Sequence, residues 1–407
     1  MAYLLLDLDL DDAIPPVELS DAQDGIGVLV RRNGAPIGWF MEPLAPGTAL
    51  AAEELGRLVT RESASAVVMQ TLRAALSHDR PAPAPASPSV TFGVCTRDRP
   101  AGLDRLLDSL APLLVTEELK FEVLVVDNAS VGDRTREVAV AHGARYVREP
   151  RLGLDFARNR AAGEATGDWL VFFDDDVVVD PGWLAAFRAM LAEHPDASAV
   201  TGSVVPLALD TPAQVLFEQR GGFRTSFVRT RFQGTAPTDL AYPACGAEFG
   251  TGANMAIRKD VLAALGGFDE ALDTGPPLPG GGDLDMFVRV VRAGLVLVFE
   301  PSCLVFHEHR RDMAALYRQL GRSWGRSYLA VWNKTYRVDP WLRPRLRLHL
   351  CRWFYGLARR LARDLLRPEP TSAPLLTLAE IWGAIVGLTG TYRRSQRRSE
   401  AIRRTVR

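Results

Sequence analysis

Gly167 to Trp183 reads GDWLVFFDDDVVVDPGW. Five apolar residues, Trp169 to Phe173, run without alternation and stop at three consecutive carboxylates, Asp174, Asp175 and Asp176. An apolar run of this length suits a strand buried on both faces, as in a parallel sheet covered by helices. Working outward, the same kind of segment recurs. Val90–Thr96 and Phe121–Val126 are apolar and rich in β-formers, and Ala144–Arg148 and Ala199–Val205 also read as strands. Between them lie helical patterns: one with Leu103, Leu106, Leu107 and Leu110 on one face, then Asp133–His142, Leu154–Ala165 and Pro181–His194. Strands alternating with helices of about ten residues make βαβ units and an α/β fold. Ligands in such sheets bind at the carboxyl ends of the strands. That rule singles out Thr96, Arg97, Asp127 and Asp174 to Asp176.

Three adjacent carboxylates at a buried strand end repel one another, and a divalent cation offsets that cost. A solvated acidic turn ahead of Pro181 is the plainer alternative. Three further stretches carry chemistry. PGGGDLDMFVRVVRAG (279–294) is a glycine loop followed by a helix from Asp283 to Ala293. Asp283 suits an N-cap, and Asp285 lies four residues before Arg289 as a surface pair. A carboxylate on such a loop is also able to accept a proton from a hydroxyl. CLVFHEHR (303–310) places His307 and His309 two apart at a strand exit, a donor set suited to manganese. TGANMAIRKDVLAALGGFDE (251–270) reads as a tight backbone passage, an apolar segment and a helix from Arg258 to Leu265.

The ends of the chain have a different character. Residues 1–80 read as a small unit with short strands at Gly27–Val30 and Ile37–Phe40, an Asn33-Gly34 turn and a helix over Ala51–Ser77. PAPAPASP (81–88) is a semi-rigid linker. MAYLLLDLDLDD lacks the basic start of a signal peptide. Residues 303–407 hold 22 Lys+Arg against 7 Asp+Glu, whereas the remainder holds 26 against 42. The formal net charge of −1 therefore conceals an acidic body and a basic end. WLRPRLRLHLCRWFYGLARRLARDLL (341–366) interleaves Arg with large apolar residues at helical spacing, which suits a helix lying on an anionic membrane surface rather than a nucleic acid. Leu375–Tyr392 is the most apolar stretch and contains Glu380 and several glycines, so an interfacial helix suits it better than a span. Cys95, Cys245, Cys303 and Cys351 form no CxxC pair, which argues for a reducing compartment. Three lysines against 45 arginines point to a GC-rich, bacterial coding sequence.

Taken in order, VCTRDRP (94–100), VLVVDNAS (123–130), GLDFARNRAAGEATGDWLVFFDDD, TGANMAIR with GGFDE, GGGDLDMFVRVVRAG and VFHEHR resemble the family 2 glycosyltransferases over about residues 89–330. The resemblance implies a GT-A (Rossmann-like), mostly parallel sheet flanked by helices. To this are added a small N-terminal α+β domain (1–80), a linker (81–88), a catalytic domain (89–330) and a basic amphipathic helical extension (331–407). It implies an inverting, metal-dependent enzyme that moves a sugar from a UDP-, dTDP- or GDP-sugar donor to an acceptor hydroxyl. Thr96 and Asp127 would hold base and ribose with Arg97 nearby, and Arg158 would meet the nucleotide or diphosphate. Asp174 and Asp175 would hold the ribose side. Asp176 and His307, with Asp174 beside them, would ligate Mg²⁺ or Mn²⁺. Asp283 would be the base, although Gly282 stands where the family often has Glu, so Asp285 stays open as the alternative. A cytoplasmic enzyme at the inner face of the membrane follows, with no nucleic-acid partner and the oligomeric state left open. The competing readings are a nucleotidyltransferase, for which CTRDRP lacks the expected Gly and Lys, and an inactive carbohydrate- or membrane-binding module.

Overall fold

The structure, a computed structural model, describes residues 1–76, 86–115, 120–223, 226–234, 248–366 and 373–405. Most of the Pro-rich segment at 81–88, and Cys245, fall outside these residues. Near the N-terminus β1 (Leu4–Asp9) pairs in parallel with β3 (Gly25–Arg32), which forms a hairpin with β4 (Ala35–Pro43) across Asn33-Gly34. β2 (Val17–Glu18) and β5 (Ala49–Leu50) add a two-residue ladder, and α1 (Ala52–Leu76) packs on β4. β1 is the element that the sequence conceals: the aspartates that interrupt its apolar run point outward, Asp7 to Arg31 at 2.7 Å.

The main sheet has nine strands. β6 (Val90–Thr96) lies at the centre of its parallel half, between β7 (Phe121–Asn128) and β9 (Trp169–Phe173), and β8 (Arg145–Glu149) closes the edge beyond β7. The helices α2 (Pro100–Leu110), α3 (Arg134–Ala141), α4 (Leu154–Glu164) and α5 (Trp183–Glu193) fall where the periodicity predicts, within a residue or two. Beyond β9 the sheet is mixed. β10 (Val177–Val179) and β12 (Thr230–Phe232) pair antiparallel with the long β14 (Val296–His307). β14 runs parallel to β11 (Ala197–Pro206). Between β11 and β9 sits β13 (Asn254–Arg258), antiparallel to both, in the apolar part of the segment read as loop and helix.

Phe92, Phe173, Trp183 and Phe187 stack or meet edge to face under this sheet, with Phe173 and Trp183 centroids 5.3 Å apart. All four are fully buried, and each such side chain stabilises the fold by about 2–3 kcal/mol. Their packing fixes the strand end that carries Asp174 to Asp176. α6 (Pro212–Gln219) and α7 (Lys259–Ala264) flank the sheet, and α8 (Gly282–Arg292) lies on its second face. The N-terminal sheet docks on the main one through Tyr3 against Leu209 and Val215, and through Leu29 against Val205 and Leu304. A half-buried Arg31–Asp180 ion pair at 2.6 Å joins them as well.

The C-terminal region is helical, as expected: α9 (Met313–Tyr317), a π-helical turn at Arg318–Trp324, α10 (Gly325–Val338), α11 (Arg343–Leu366), α12 (Pro374–Val386) and α13 (Tyr392–Thr405). Pro374–Thr405 is long and apolar enough, as one helix, to cross a membrane. The backbone breaks at Thr389 and Gly390, however, leaving the 13 residues of α12, Thr377 and Glu380 among them, as a separate rod. At 1.5 Å per residue that rod is about 20 Å long, short of the ~30 Å of a bilayer core.

Candidate active site

The carboxyl ends of β6, β7 and β9 and the end of β14 open on one cleft. Its floor begins in the loop after β6. Asp98, at φ 54°, donates its amide to Ser130 Oγ at 2.9 Å and accepts the Val131 amide at 2.7 Å, so the loops after β6 and β7 are stitched together. α2 starts at Pro100 and passes so close to the β9 exit that a Cβ on Gly102 would lie 2.3 Å from the Asp175 carbonyl.

Each of the three aspartates has a different environment. Asp175 is buried. One of its oxygens accepts the Thr96 hydroxyl at 2.7 Å, and the other takes the Arg99 guanidinium. Burial raises its pKa against the pull of Arg99. Asp176 is buried too, with His307 Nε2 at 3.2 Å, Arg99 at 2.9 Å and Arg310 at 3.7 Å. Burial opposes ionisation there, but His307 and the two arginines outweigh it and hold this carboxyl well below the ordinary range. Asp174 lines the cleft with 37% of its side chain exposed and Arg158 4.0 Å away. The surrounding protein, and then the charge of Asp176, push it up to about 7.

Arg158 stands on α4 beneath the cleft and is 4% exposed. Its guanidinium meets Asp155 at 3.1 Å and Asp273 at 3.6 Å and lies 5.4 Å above the Phe268 ring. Burial, reinforced by neighbouring carboxylates, raises both Asp155 and Asp273. Across the cleft, Asp283 sits in the first turn of α8. Its Oδ2 accepts the Gly252 amide at 2.7 Å and its Oδ1 the Leu284 amide at 2.8 Å. It is not the N-cap: Gly281 holds that position in a left-handed conformation, and Asp273 accepts the Gly282 amide at 2.8 Å. Asp285 points the other way. It is buried, with Arg289 at 2.8 Å and Lys334 at 2.6 Å.

Of the residues singled out from the sequence, Thr96, Asp174, Asp175, Asp176, His307, Arg158 and Asp283 lie around this cleft. Asp127 lies beside it with both oxygens engaged, by the Ser130 amide at 2.9 Å and the Tyr146 hydroxyl at 2.7 Å. Arg97 is exposed and 3.5 Å from Asp98. β14 ends at His307, so His309 does not share a strand face with it; the two Nδ1 atoms instead face each other at 2.9 Å. Sequence reasoning passed over Arg99, Asp155, Asp273 and Arg310. Arg99 stands in the quoted CTRDRP motif, but nothing in the chain's order signals that α2 brings it back over Asp175 and Asp176.

Among the described residues, no three His, Cys, Asp or Glu side chains converge closely enough to hold a metal by themselves. The donors on offer are a pair, Asp176 Oδ1 and His307 Nε2, with Asp174 beside them. Hard divalent cations are commonly held by one or two carboxylates and completed by substrate phosphates. Oxygen and imidazole donors suit Mg²⁺ or Mn²⁺ on those terms.

Comparison with known proteins bears on this arrangement. The family model described as glycosyl transferase family 2 matches residues 91–266, from β6 through α7. The pre-mycofactocin glycosyltransferase of Mycobacterium tuberculosis is 28% identical over 261 residues, covering 63% of this chain and 51% of that one. The chain thus spans about half the length of that relative. The succinoglycan biosynthesis protein ExoM of Rhizobium meliloti is 30% identical over 248 residues, covering 58% of this chain and 72% of that one. Among solved structures, the mannosyltransferase PcManGT of Pyrobaculum calidifontis, in complex with GDP-Man and Mn²⁺, is 22% identical with a TM-score of 0.47, covering 82% of this chain and 92% of that one. The family match and the identity to ExoM over most of its length establish that this chain belongs to glycosyl transferase family 2.

Proposed function

We propose that the chain is an inverting glycosyltransferase that moves a sugar from a nucleotide-sugar donor to an acceptor hydroxyl. The observation that most supports this reading is the division of the cleft. The Asp174–Asp176 cluster stands on one side, backed by Arg99, His307 and Arg310. The single carboxylate of Asp283 stands on the other, held by the Gly252 amide. Asp283 takes the proton of the acceptor hydroxyl as its oxygen attacks the anomeric carbon. The nucleoside diphosphate leaves from the opposite face of the sugar, so the configuration inverts. Arg158, gripped by Asp155 and Asp273, fixes the floor between the two sides. Its buried position suits holding Asp174 in place better than reaching the nucleotide itself. Mg²⁺ or Mn²⁺, held by Asp176 and His307, would supply positive charge to the departing diphosphate.

The direct test is release of nucleoside diphosphate from UDP-, dTDP- and GDP-sugars with Mn²⁺ and a panel of hydroxyl acceptors. One donor supporting acceptor-dependent release, with product of inverted configuration, is the expected result. Retained configuration, or transfer of the nucleotidyl group instead of the sugar, overturns the reading. We infer in addition that the basic helical extension holds the enzyme at an anionic membrane surface, supported by the exposed apolar face of α12.

A further inference from the structure

α8 begins without a capping side chain of its own. Gly281 stands at its N-cap in a left-handed conformation, φ 104°. The first amides of a helix have no partner within it, so they must find one elsewhere. The Gly282 amide finds Asp273, whose Oδ2 accepts it at 2.8 Å. Asp273 is pinned in turn. Its backbone is left-handed at φ 51°, and its carbonyl accepts the Leu154 amide, at the start of α4, at 2.9 Å. The hydroxyl of the next residue, Thr274, lies 2.9 Å from that of Ser395 on α13. Asp155 approaches the same glycine from the first turn of α4. It is fully buried, and its Oδ2 has no hydrogen-bond partner among the described residues. A Cβ at position 282 would lie 2.0 Å from that oxygen, so only glycine fits directly before Asp283.

Arg158 joins these two carboxylates to the other support of the base. Its Nη1 meets Asp155 at 3.1 Å and Asp273 at 3.6 Å. A Cβ on Gly252 would lie 2.7 Å from its Nη2 and 2.9 Å from the Asp283 Cβ. The Gly252 amide is the one that holds Asp283 Oδ2. We propose that Asp273 and Asp155 are positioning residues of the base: braced through Arg158, they hold Gly282 and Gly252 in place and so fix where the Asp283 carboxylate points. Negative groups at the start of α8 also suit the positive end of its dipole. A base works only within hydrogen-bond reach of the proton it takes, and a misplacement of about 1 Å costs on the order of 10²-fold. Neutralising Arg158 alone would need one carboxylate, whereas two converge there, and each also touches the residue before the base. The inference rests on the reading of Asp283 as the base, and the experiment separates the two.

Full-length variants are compared with wild type in transfer kinetics and in hydrogen exchange at the first turn of α8. Asp273→Gly removes the acceptor without strain, since glycine takes a positive φ freely. Its kcat should fall roughly 10- to 100-fold with the donor KM unchanged, and the first turn of α8 should exchange faster. Asp273→Asn keeps an acceptor oxygen and tolerates a left-handed backbone, so it should recover most of both losses. Asp155→Ala should lower kcat in the same way, again at unchanged donor KM. Wild-type kcat in Asp273→Gly or Asp155→Ala overturns the proposal. So does a loss in Asp273→Gly that asparagine does not recover, or that leaves the exchange of α8 as it was, because the carboxylate would then act otherwise than by holding the amide. Should Asp283→Asn turn over normally, the base reading falls, and the exchange still decides whether Asp273 holds the start of α8.

Discussion

Asp283 and Asp285 are two residues apart and differ in everything that decides a catalytic role. The Asp283 carboxylate is held by backbone amides and opens on the cleft, whereas Asp285 is buried between Arg289 and Lys334. Asp283→Asn should keep nucleotide binding and lose turnover by at least about 10²-fold, the usual weight of a general base. Asp285→Asn should instead lower stability by about 3 kcal/mol, because it leaves two cations facing a neutral amide. A folded Asp283→Asn enzyme with near-normal turnover, beside an inactive but stable Asp285→Asn, would reverse the assignment. Asp174 gives a pH signature. Its carboxyl is raised to about 7, so the folded protein holds that proton more tightly than the unfolded chain does. Its contribution to stability is therefore full below the ordinary carboxylate pKa and is lost as the pH climbs through about 7. A cation that needs the ionised form competes with the proton. Mn²⁺ affinity should rise with pH, by roughly tenfold per unit below pH 7, and level off above it. Calorimetry showing a flat profile between about pH 6 and 8 would count against Asp174 as a ligand. The aspartates were legible in sequence because three charges abut one apolar strand. Asp273 was not, because α4 delivers its guanidinium partner from elsewhere in the chain, whereas Asp155 stands three residues before that arginine on the same helix, a spacing that signals a pair.

Among the elements, strands and helices that repeat a clean period were the readable ones. α2 buries each of Leu103, Leu106, Leu107 and Leu110, as its spacing requires. β13 was missed because five residues running straight into a helix do not reveal whether they extend or coil, and pairing with both β9 and β11 decides the matter. The crossing of α12 against α10 and the π-turn before it was also hidden. Four glycines with four-residue spacing on each partner make it. A Cβ on Gly321 would meet Ala379 at 2.6 Å, one on Gly325 the Glu380 carbonyl at 2.7 Å, and one on Gly387 the Arg326 carbonyl at 2.4 Å. A Cβ on Gly383 would lie 1.9 Å from the Gly321 carbonyl. The backbones touch there, so no side chain fits without separating the helices. Gly383→Val should cost about 1–3 kcal/mol or more and lower the thermal midpoint, whereas Gly356→Ala, at an open position in α11, should be neutral or slightly stabilising. Equal midpoints for the two variants would show that α12 is not held by this crossing.

For the whole molecule, the charge split seen in the sequence has two destinations. Part of the basic excess is spent within the fold. Lys334 reaches Asp269 and Asp285, Arg403 reaches Glu270, and Arg398 donates to the Thr274 carbonyl, so α10 and α13 clamp the 269–274 loop beside the cleft. The rest faces solvent. Arg347, Arg352, Arg359 and Arg363 are exposed on α11, as are Leu348 and Tyr355. On α12, Leu375, Leu378, Trp382 and Ile385 are exposed along one face, opposite the buried Leu376, Thr377, Gly383 and Ala384. An apolar ridge of this kind next to arginines matches the interface of an anionic bilayer, where each basic residue near the surface contributes about 1 kcal/mol. Composition made the basic end visible. It gave no way to separate arginines that clamp a loop from those left facing outward, since that depends on which acidic residues lie opposite. Removing the extension is a poor test, because it would also strip the clamp from the loop. The sharper one changes the ridge alone: Trp382→Glu with Ile385→Glu leaves the buried face of α12 and the clamp intact. The full chain should sediment with phosphatidylglycerol vesicles and release as salt is raised, since screening weakens the arginine contribution. The double variant should lose most of that binding at any salt while keeping activity on a soluble acceptor. Equal sedimentation with neutral phosphatidylcholine vesicles would leave the arginines without a part in it. Unimpaired binding by the double variant would remove the ridge from the contact and, with it, the membrane reading of this face.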